Sequence, residues 1–169
     1  MKKIFGAIAF VLFFAIASVN AQGSKIGHVS MQELIQALPD YKIAEGNLQS
    51  FAKQLQDTYT SMQDEYNQKL SAYMKDSANM TPPMKEAKMQ DIADLAKRMQ
   101  KMEQTSDQTL MDKQNELLKP MQSKVSDAIK SVAKDNGYSY IFDTSNGTTL
   151  VYYPETENLT PLVKKKLGL

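Results

Sequence analysis

The sequence predicts a mostly α-helical α+β protein, in which a long antiparallel helical hairpin extends from a small β body. Residues 41–136 contain a single glycine, and their prolines fall only at Pro82-Pro83 and at Pro120. Apolar side chains in this stretch recur three and four positions apart, which is typical of a coiled-coil arm. Short alternating segments at both ends of the chain indicate strands. Because a doubled rod encloses no catalytic pocket, we expect the function to reside in the surface that it presents.

The first 21 residues are typical of a secretory signal peptide. Lys2-Lys3 precedes an apolar run over residues 4–16, and small or apolar side chains lead to a cleavage site near Ala21. The run is too short for a comfortable membrane span. We therefore expect an exported, periplasmic protein that begins near residue 22.

The composition of the mature chain suggests a sparse core and excludes several functions. Four of the six phenylalanines lie in the signal segment, and the chain has no tryptophan and no cysteine. Without cysteine there is no disulfide framework and no thiol nucleophile. The formal net charge is +1 for the full sequence and falls by two, to −1, without Lys2 and Lys3, which gives no basic field for nucleic acid. We expect the missing core to be supplied by self-association.

The predicted β body comprises residues 22–40 and 121–169, and the predicted arm comprises residues 41–120 with its tip near 76–83. A strand is expected over residues 25–29. Ser30 and Glu33 form a capping-box pattern that starts a short helix, which Pro39 ends.

The first arm helix has apolar and aromatic side chains at alternating spacings of four and three, interrupted only where Lys69 stands beside Leu70. These seam positions are Leu48, Ala52, Leu55, Tyr59, Met62, Tyr66 and Tyr73. Tyrosine hydroxyls need water or hydrogen-bond partners, so we expect a loosely packed, partly hydrated seam.

The second arm helix is expected to start at Pro83, after Thr81, and to end at an Asn136-Gly137 C-cap. Its seam is weak over residues 106–113. The seam residues on either side of that stretch are Ile92, Leu95, Met99, Met102, Leu117, Met121, Val125, Ala128, Ile129 and Val132. Pro120 lies inside the helical pattern and predicts a kink, which we interpret as a hinge between arm and body.

The C-terminal segment predicts an antiparallel β-hairpin followed by a short helix. Residues 138–142 alternate, Asn146-Gly147 is a hairpin dipeptide, and residues 149–153 are expected to form the returning strand. Thr160 is expected to cap the last helix, with Pro161 at its first position. Exposed strand edges favour pairing between chains. The residues expected to mediate self-association are Ile26, Val29, Tyr138, Tyr140, Phe142 and Val151.

The sequence contains no recognisable catalytic, cofactor or metal site. His28 is the only histidine, and without a second histidine or a cysteine it is interpreted as a surface or interface side chain. Neither a glycine-rich phosphate loop nor a nucleophile elbow is present. We therefore expect a protein that is not an enzyme and that has no cofactor.

Methionines are concentrated in the distal half of the predicted arm. Their flexible, polarizable side chains suit surfaces that bind varied apolar partners. The hypothesised client-binding residues are Tyr59, Met62, Tyr66, Tyr73, Met74, Met80, Met84, Met99 and Met102.

Two segments, one after the signal segment and one in the last third of the chain, carry a family resemblance. The first is Lys-Ile-Gly-His-Val at residues 25–29, followed by Met-Gln-Glu-Leu-Ile at 31–35. The second runs from Leu-Lys-Pro at 118–120 through Val-Ala-Lys-Asp-Asn-Gly-Tyr at 132–138 to Tyr-Ile-Phe-Asp at 140–143. Together the two segments resemble the Skp/OmpH family of periplasmic chaperones. The resemblance implies a homotrimer whose three hairpins surround a cavity, where unfolded outer-membrane proteins are held without ATP.

This sequence departs from the resemblance in its charge, because the well-studied members are strongly basic. Positive residues of the second arm helix are interleaved with negative ones, so we expect apolar contact, and at most peripheral membrane contact, rather than electrostatic capture. The alternative function is a structural coiled-coil adaptor of the envelope that binds one fixed partner.

Overall fold

The computed structural model describes residues 24–147 and 150–169. The predicted signal peptide and Thr149 lie outside the described residues. Two strands and four α-helices follow in chain order: β1 (Ile26–Val29), α1 (Met31–Ala37), α2 (Pro39–Asp76), α3 (Pro82–Asp135), β2 (Tyr140–Asp143) and α4 (Thr160–Leu167). Short 3-10 turns occupy Ser77–Asn79 and Glu155–Glu157. The predicted mostly helical α+β class is confirmed.

Helices α2 and α3 form the predicted antiparallel hairpin. They contain 38 and 54 residues, which at a rise of 1.5 Å per residue makes them about 57 and about 81 Å long. Grooves between them are lined by residues 41–48 with 114–118 near the base, by 52–59 with 103–110 at mid-length, and by 69–76 with 88–92 near the tip. Later residues of α2 thus lie opposite earlier residues of α3, as in an antiparallel pair, and the two helices stay paired along the length of α2.

The ends of the hairpin helices follow from local chemistry. Pro39 and Pro82 each occupy the first position of a helix, where the missing N–H costs nothing. After α3 the chain forms a Schellman motif: Tyr138 N–H donates to Ala133 O at 2.9 Å, and Gly137 has a φ of +69°. The predicted C-cap at Asn136-Gly137 is therefore confirmed.

Pro120 lies inside α3, which continues on both sides of it as one helix from Pro82 to Asp135. The proline therefore does not end the helix, although it removes one backbone hydrogen bond. A hinge at Pro120 stays a prediction.

The sheet is parallel, and the predicted antiparallel hairpin is wrong. Strand β2 pairs with β1 in the register Ile26↔Tyr140 to Val29↔Asp143. Residues 150–153 form no strand, and Val151 is fully exposed. The turn at Thr144 to Gly147 does form, with a Gly147 φ of +62°. After that turn the chain does not pair with β2. It runs to β1 instead, where the Leu159 N–H donates to His28 O at 2.9 Å and Asn158 forms an isolated bridge with His28.

The core lies where the two chain ends meet the base of the hairpin. It is built from the sheet, from all four helices and from the residue before α4. Its buried members are Val29, Leu34, Leu38, Ala44, Met121, Val125, Ala128, Val132, Leu159 and Val163. Burial of these side chains is the main stabilising contribution to the body.

The predicted capping box at the start of α1 forms only in part. Ser30 Oγ accepts from the Glu33 N–H at 3.2 Å. The Ser30 N–H donates instead to Thr160 Oγ1 at 3.0 Å, and the Glu33 carboxylate binds Lys164 Nζ at 2.6 Å. Thr160 lies within the first turn of α4, after the N-cap Leu159. The predicted hydrogen bond from the Ser30 N–H to the Glu33 carboxylate is thus replaced by two contacts that join the start of α1 to α4.

Asp143 connects the end of β2 to the start of α1. Its Oδ1 accepts hydrogen bonds from the Met31 N–H at 3.1 Å, the Ser145 N–H at 2.9 Å and the Ser145 hydroxyl at 2.6 Å. Burial of the carboxyl raises its pKa, but the hydrogen bonds from Ser145 and Met31 favour the charged form and outweigh burial. The pKa of Asp143 therefore lies below its ordinary value.

Candidate functional surface

The seam between α2 and α3 is largely unfilled. In the fully described range 45–116, Ile92 and Leu95 are the only buried side chains. The predicted seam residues of α2 are all half-buried: Leu48, Ala52, Leu55, Tyr59, Met62, Tyr66 and Tyr73. The arm therefore leaves much apolar and aromatic surface within reach of solvent or a partner.

A groove of about 350 Å³ lies at mid-arm, beside Leu55 and Tyr59. Ser106 and Leu110 face them from α3, where the sequence predicts a weak seam. The Ser106 hydroxyl donates to Met102 O at 2.6 Å, so it is satisfied by its own helix. This small side chain does not fill the seam, and the predicted loose packing is found here.

The hairpin tip has a second groove, of about 190 Å³, lined by Tyr73, Met80 and Ile92 among others. Met74 is 72% exposed and Met84 is 52% exposed on either side of the turn. Two of the hypothesised binding residues, Tyr73 and Met80, therefore share one groove.

The remaining hypothesised binding residues are distributed along the hairpin. Tyr59 lines the mid-arm groove, whereas Met62, Tyr66, Met99 and Met102 are half-buried along the seam. The structure therefore places the nine residues along an extended surface, without gathering them into one site.

Exposed apolar side chains that the sequence did not single out extend this surface. Met89 on α3 is 46% exposed, and Ile43 near the base of α2 is 64% exposed. Ile43 borders a groove of about 280 Å³ with Leu117 and Pro120. Neither Met89 nor Ile43 lies at a heptad position of the seam. An apolar residue outside those positions is the sequence signal by which they could have been identified.

His28 is buried, which corrects its interpretation as a surface or interface side chain. Its exposure is 4%, its Nε2 lies 3.1 Å from Pro154 O, and its ring centroid is 4.4 Å from that of Tyr153. The segment that was expected to form a strand instead covers the ring. Within residues 24–147 and 150–169, no group of three or more histidine, cysteine or acidic residues could hold a metal ion.

The residues expected to mediate self-association differ in their exposure within one chain. Val29 is 2% exposed and belongs to the chain's own core, so its side chain is not available to a neighbour. Ile26 and its register partner Tyr140 are 50% and 60% exposed. Tyr138 and Phe142 are half-buried. Without Val29, these residues and Val151 remain the candidate surface for association.

Charge on the arm is spread over short local pairs. Lys53 binds Asp57 at 2.6 Å and Lys113 binds Glu116 at 3.0 Å, each within one turn of its helix. Such exposed pairs contribute between about 0 and 1 kcal/mol. None of the helices in the described part of the chain is both long and apolar enough to cross a membrane. Apolar contact remains the main interaction that the arm offers.

The described chain is a long helical hairpin with a half-open apolar seam, joined to a small body that contains a parallel sheet. The sequence profile of the family described as outer membrane protein (OmpH-like) matches residues 25–167, and the chain belongs to that family. The resemblance seen in the sequence is thereby confirmed.

Curated relatives agree with this assignment over their full length. The chain is 27% identical to the chaperone protein Skp of Photorhabdus laumondii and 25% identical to that of Yersinia enterocolitica, with 99% of each chain covered. An OmpH-like outer membrane chaperone structure from Caulobacter crescentus has the same fold, with a TM-score of 0.68 and 12% identity. That match covers 85% of this chain and 83% of the other. The family assignment and the names of these relatives support a chaperone role and a protein that is not an enzyme.

Proposed function

We propose that this protein is an ATP-independent holdase chaperone of the periplasm. It binds unfolded outer-membrane proteins and prevents their aggregation. The observation that carries the proposal is the half-open seam, in which Ile92 and Leu95 alone are buried over residues 45–116. A rod that served only as a spacer would gain stability from a filled seam.

The exposed side chains of the arm suit a client that has no fixed structure. Unfolded barrel strands present alternating apolar residues and aromatic side chains. Flexible methionines such as Met74 and Met84 can adapt to varied sequences, and half-buried Tyr59 and Tyr66 add amphipathic rings. Many weak contacts of this kind hold a client without recognising one sequence.

A cavity for the client requires more than one copy of the chain. Ile26 and Tyr140 form an exposed apolar pair on the sheet, and Val151 lies fully exposed in the following segment. Burial of this surface between chains would hold several arms side by side, and the family resemblance suggests a homotrimer. Shared binding among the arms raises the effective concentration of weak sites.

The test is suppression of aggregation by the chain from residue 22 onward. A urea-denatured outer-membrane β-barrel protein is diluted into buffer without nucleotide, and light scattering is followed. We expect suppression at molar ratios near one client per trimer. The double variant Met74→Gln/Met84→Gln should weaken suppression severalfold because it removes exposed apolar surface at the tip.

Leu162→Gln is the matched control. Leu162 is 44% exposed but lies on α4 in the body, away from the arm. Its replacement should leave suppression unchanged. Failure of the unaltered chain to suppress aggregation would contradict the proposal. Tight binding to one envelope protein, without suppression of aggregation, would indicate the adaptor function.

A further inference from the structure

The hairpin tip contains two of the three most exposed methionines among residues 24–147 and 150–169. The sequence has no cysteine and no tryptophan, so methionine thioethers are its most readily oxidised groups. Met74 is 72% exposed and Met84 is 52% exposed, whereas Met121 in the body core is 4% exposed. The accessible methionines thus lie on the arm, where Met74 and Met84 flank the tip, whereas Met121 in the body core is protected.

We infer that Met74 and Met84 form a reversible oxidation site that lowers client binding when a peroxide converts them to sulfoxides. The part that concerns client binding rests on the proposed function. The oxidation itself depends only on the accessibility of the two thioethers.

The chemical step is a two-electron oxygen transfer from a hydroperoxide. A lone pair of the methionine sulfur attacks one peroxide oxygen, the O–O bond breaks, and an S–O bond forms. With hydrogen peroxide, the transferred oxygen gives its proton to the departing hydroxide, which leaves as water. Sulfur is oxidised and peroxide is reduced. A reductase with a dithiol reverses the step, releasing water and forming a disulfide on the reductase.

Oxidation at the tip can occur without loss of the fold. Neither Met74 nor Met84 belongs to the buried core, so a sulfoxide oxygen at either position remains in contact with water. The change converts a flexible apolar surface into a polar one. The contacts that a barrel strand would make with the tip are therefore weakened while both helices stay formed.

Peptide mapping by mass spectrometry tests the oxidation site in the assembled chain. After brief treatment with hydrogen peroxide, we expect Met74 and Met84 to gain oxygen at least severalfold faster than Met121, with an unchanged circular dichroism spectrum. Oxidation of Met121 at the same rate, or loss of helix in step with oxidation at the tip, would overturn the assignment.

The aggregation assay tests the effect on binding. Each protein is compared with its own untreated sample, so any difference in starting activity cancels. Peroxide should reduce suppression severalfold in the unaltered chain, and much less in Met74→Leu/Met84→Leu, which lacks both sulfurs. Methionine sulfoxide reductases with dithiothreitol should restore the loss.

A control variant distinguishes the tip from other exposed methionines. Met111 is 56% exposed at mid-arm, and Met111→Leu should remain as sensitive to peroxide as the unaltered chain. An equal loss in Met74→Leu/Met84→Leu would overturn the regulatory role. If the untreated chain does not suppress aggregation, the proposed function and the regulatory role both fail, while the peptide map still decides whether the tip is oxidised first.

Discussion

Replacement of Leu95 by alanine should loosen the arm without loosening the body. Leu95 is 1% exposed and is, with Ile92, one of two buried side chains over residues 45–116. The change removes three carbon atoms, or about 2.4 kcal/mol of transfer free energy at about 0.8 kcal/mol each. Because the neighbouring seam is half-open, the cavity can fill or collapse. We therefore expect a total of about 2–3 kcal/mol, at the low end for a Leu→Ala change.

Hydrogen exchange measured by mass spectrometry can locate this effect. A cost of about 2–3 kcal/mol corresponds to roughly 30- to 150-fold faster exchange for amides that open with the distal arm. Peptides from α4 should keep their protection. Leu34→Ala is the control, because Leu34 is fully buried in the body and its loss should accelerate exchange there. Equal acceleration in arm and body for Leu95→Ala would refute the reasoning, since it would show that the two unfold as one unit.

Three further predictions concern the backbone and acid stability. Gly27→Ala should lower the free energy of unfolding, measured in urea, by about 1–3 kcal/mol, because a Cβ there would lie 2.9 Å from Tyr138 Cε1. The control is Gly46→Ala, where a Cβ meets no atom within 4 Å, and it should raise the free energy of unfolding by about 0.5–1 kcal/mol. The lowered pKa of Asp143 means that its charge stabilises the fold above the ordinary pKa of 3.8 and that this contribution disappears as pH falls through the lower folded value. Asp143→Asn should therefore be less stable than the unaltered chain near neutral pH and should lose less stability on acidification, and a parallel pH profile would contradict this. Pro120→Ala should raise the unfolding midpoint by restoring a helical hydrogen bond; unchanged client affinity and unchanged arm spread in this variant, measured by small-angle scattering, would remove the hinge hypothesis.

Local chemistry was sufficient to predict the helical arm. The proline pair at residues 82–83 and the Asn136-Gly137 cap each act through backbone dihedrals and hydrogen bonds within a few residues. The heptad spacing likewise reported which face of each helix meets the other. These features do not depend on distant parts of the chain, so the hairpin could be derived from the sequence.

The β body could not be derived in the same way. Asn146-Gly147 does form its turn, but the chain after it goes to β1 rather than back along β2, and Asn158 forms an isolated bridge with His28. The burial of His28 likewise depends on Tyr153 and Pro154, which are distant in sequence. Strand pairing and side-chain burial between residues that are distant in sequence leave no periodic pattern in the sequence. The apolar and aromatic composition of the arm surface was predicted, but its grooves follow from the register of α2 against α3.

We expect the parallel pairing of β1 with β2 to form after the α2–α3 hairpin. The Met31 N–H and its acceptor Asp143 are 112 positions apart, so contacts at the ends of the two strands must close a very long loop. The α2–α3 hairpin can instead form outward from its own turn, through contacts that are close in sequence near the tip. Once its base is paired, residues 41–48 lie opposite residues 114–118. The paired arm should therefore shorten the loop that β1 and β2 must close. Pairing of the two strands then costs less conformational entropy.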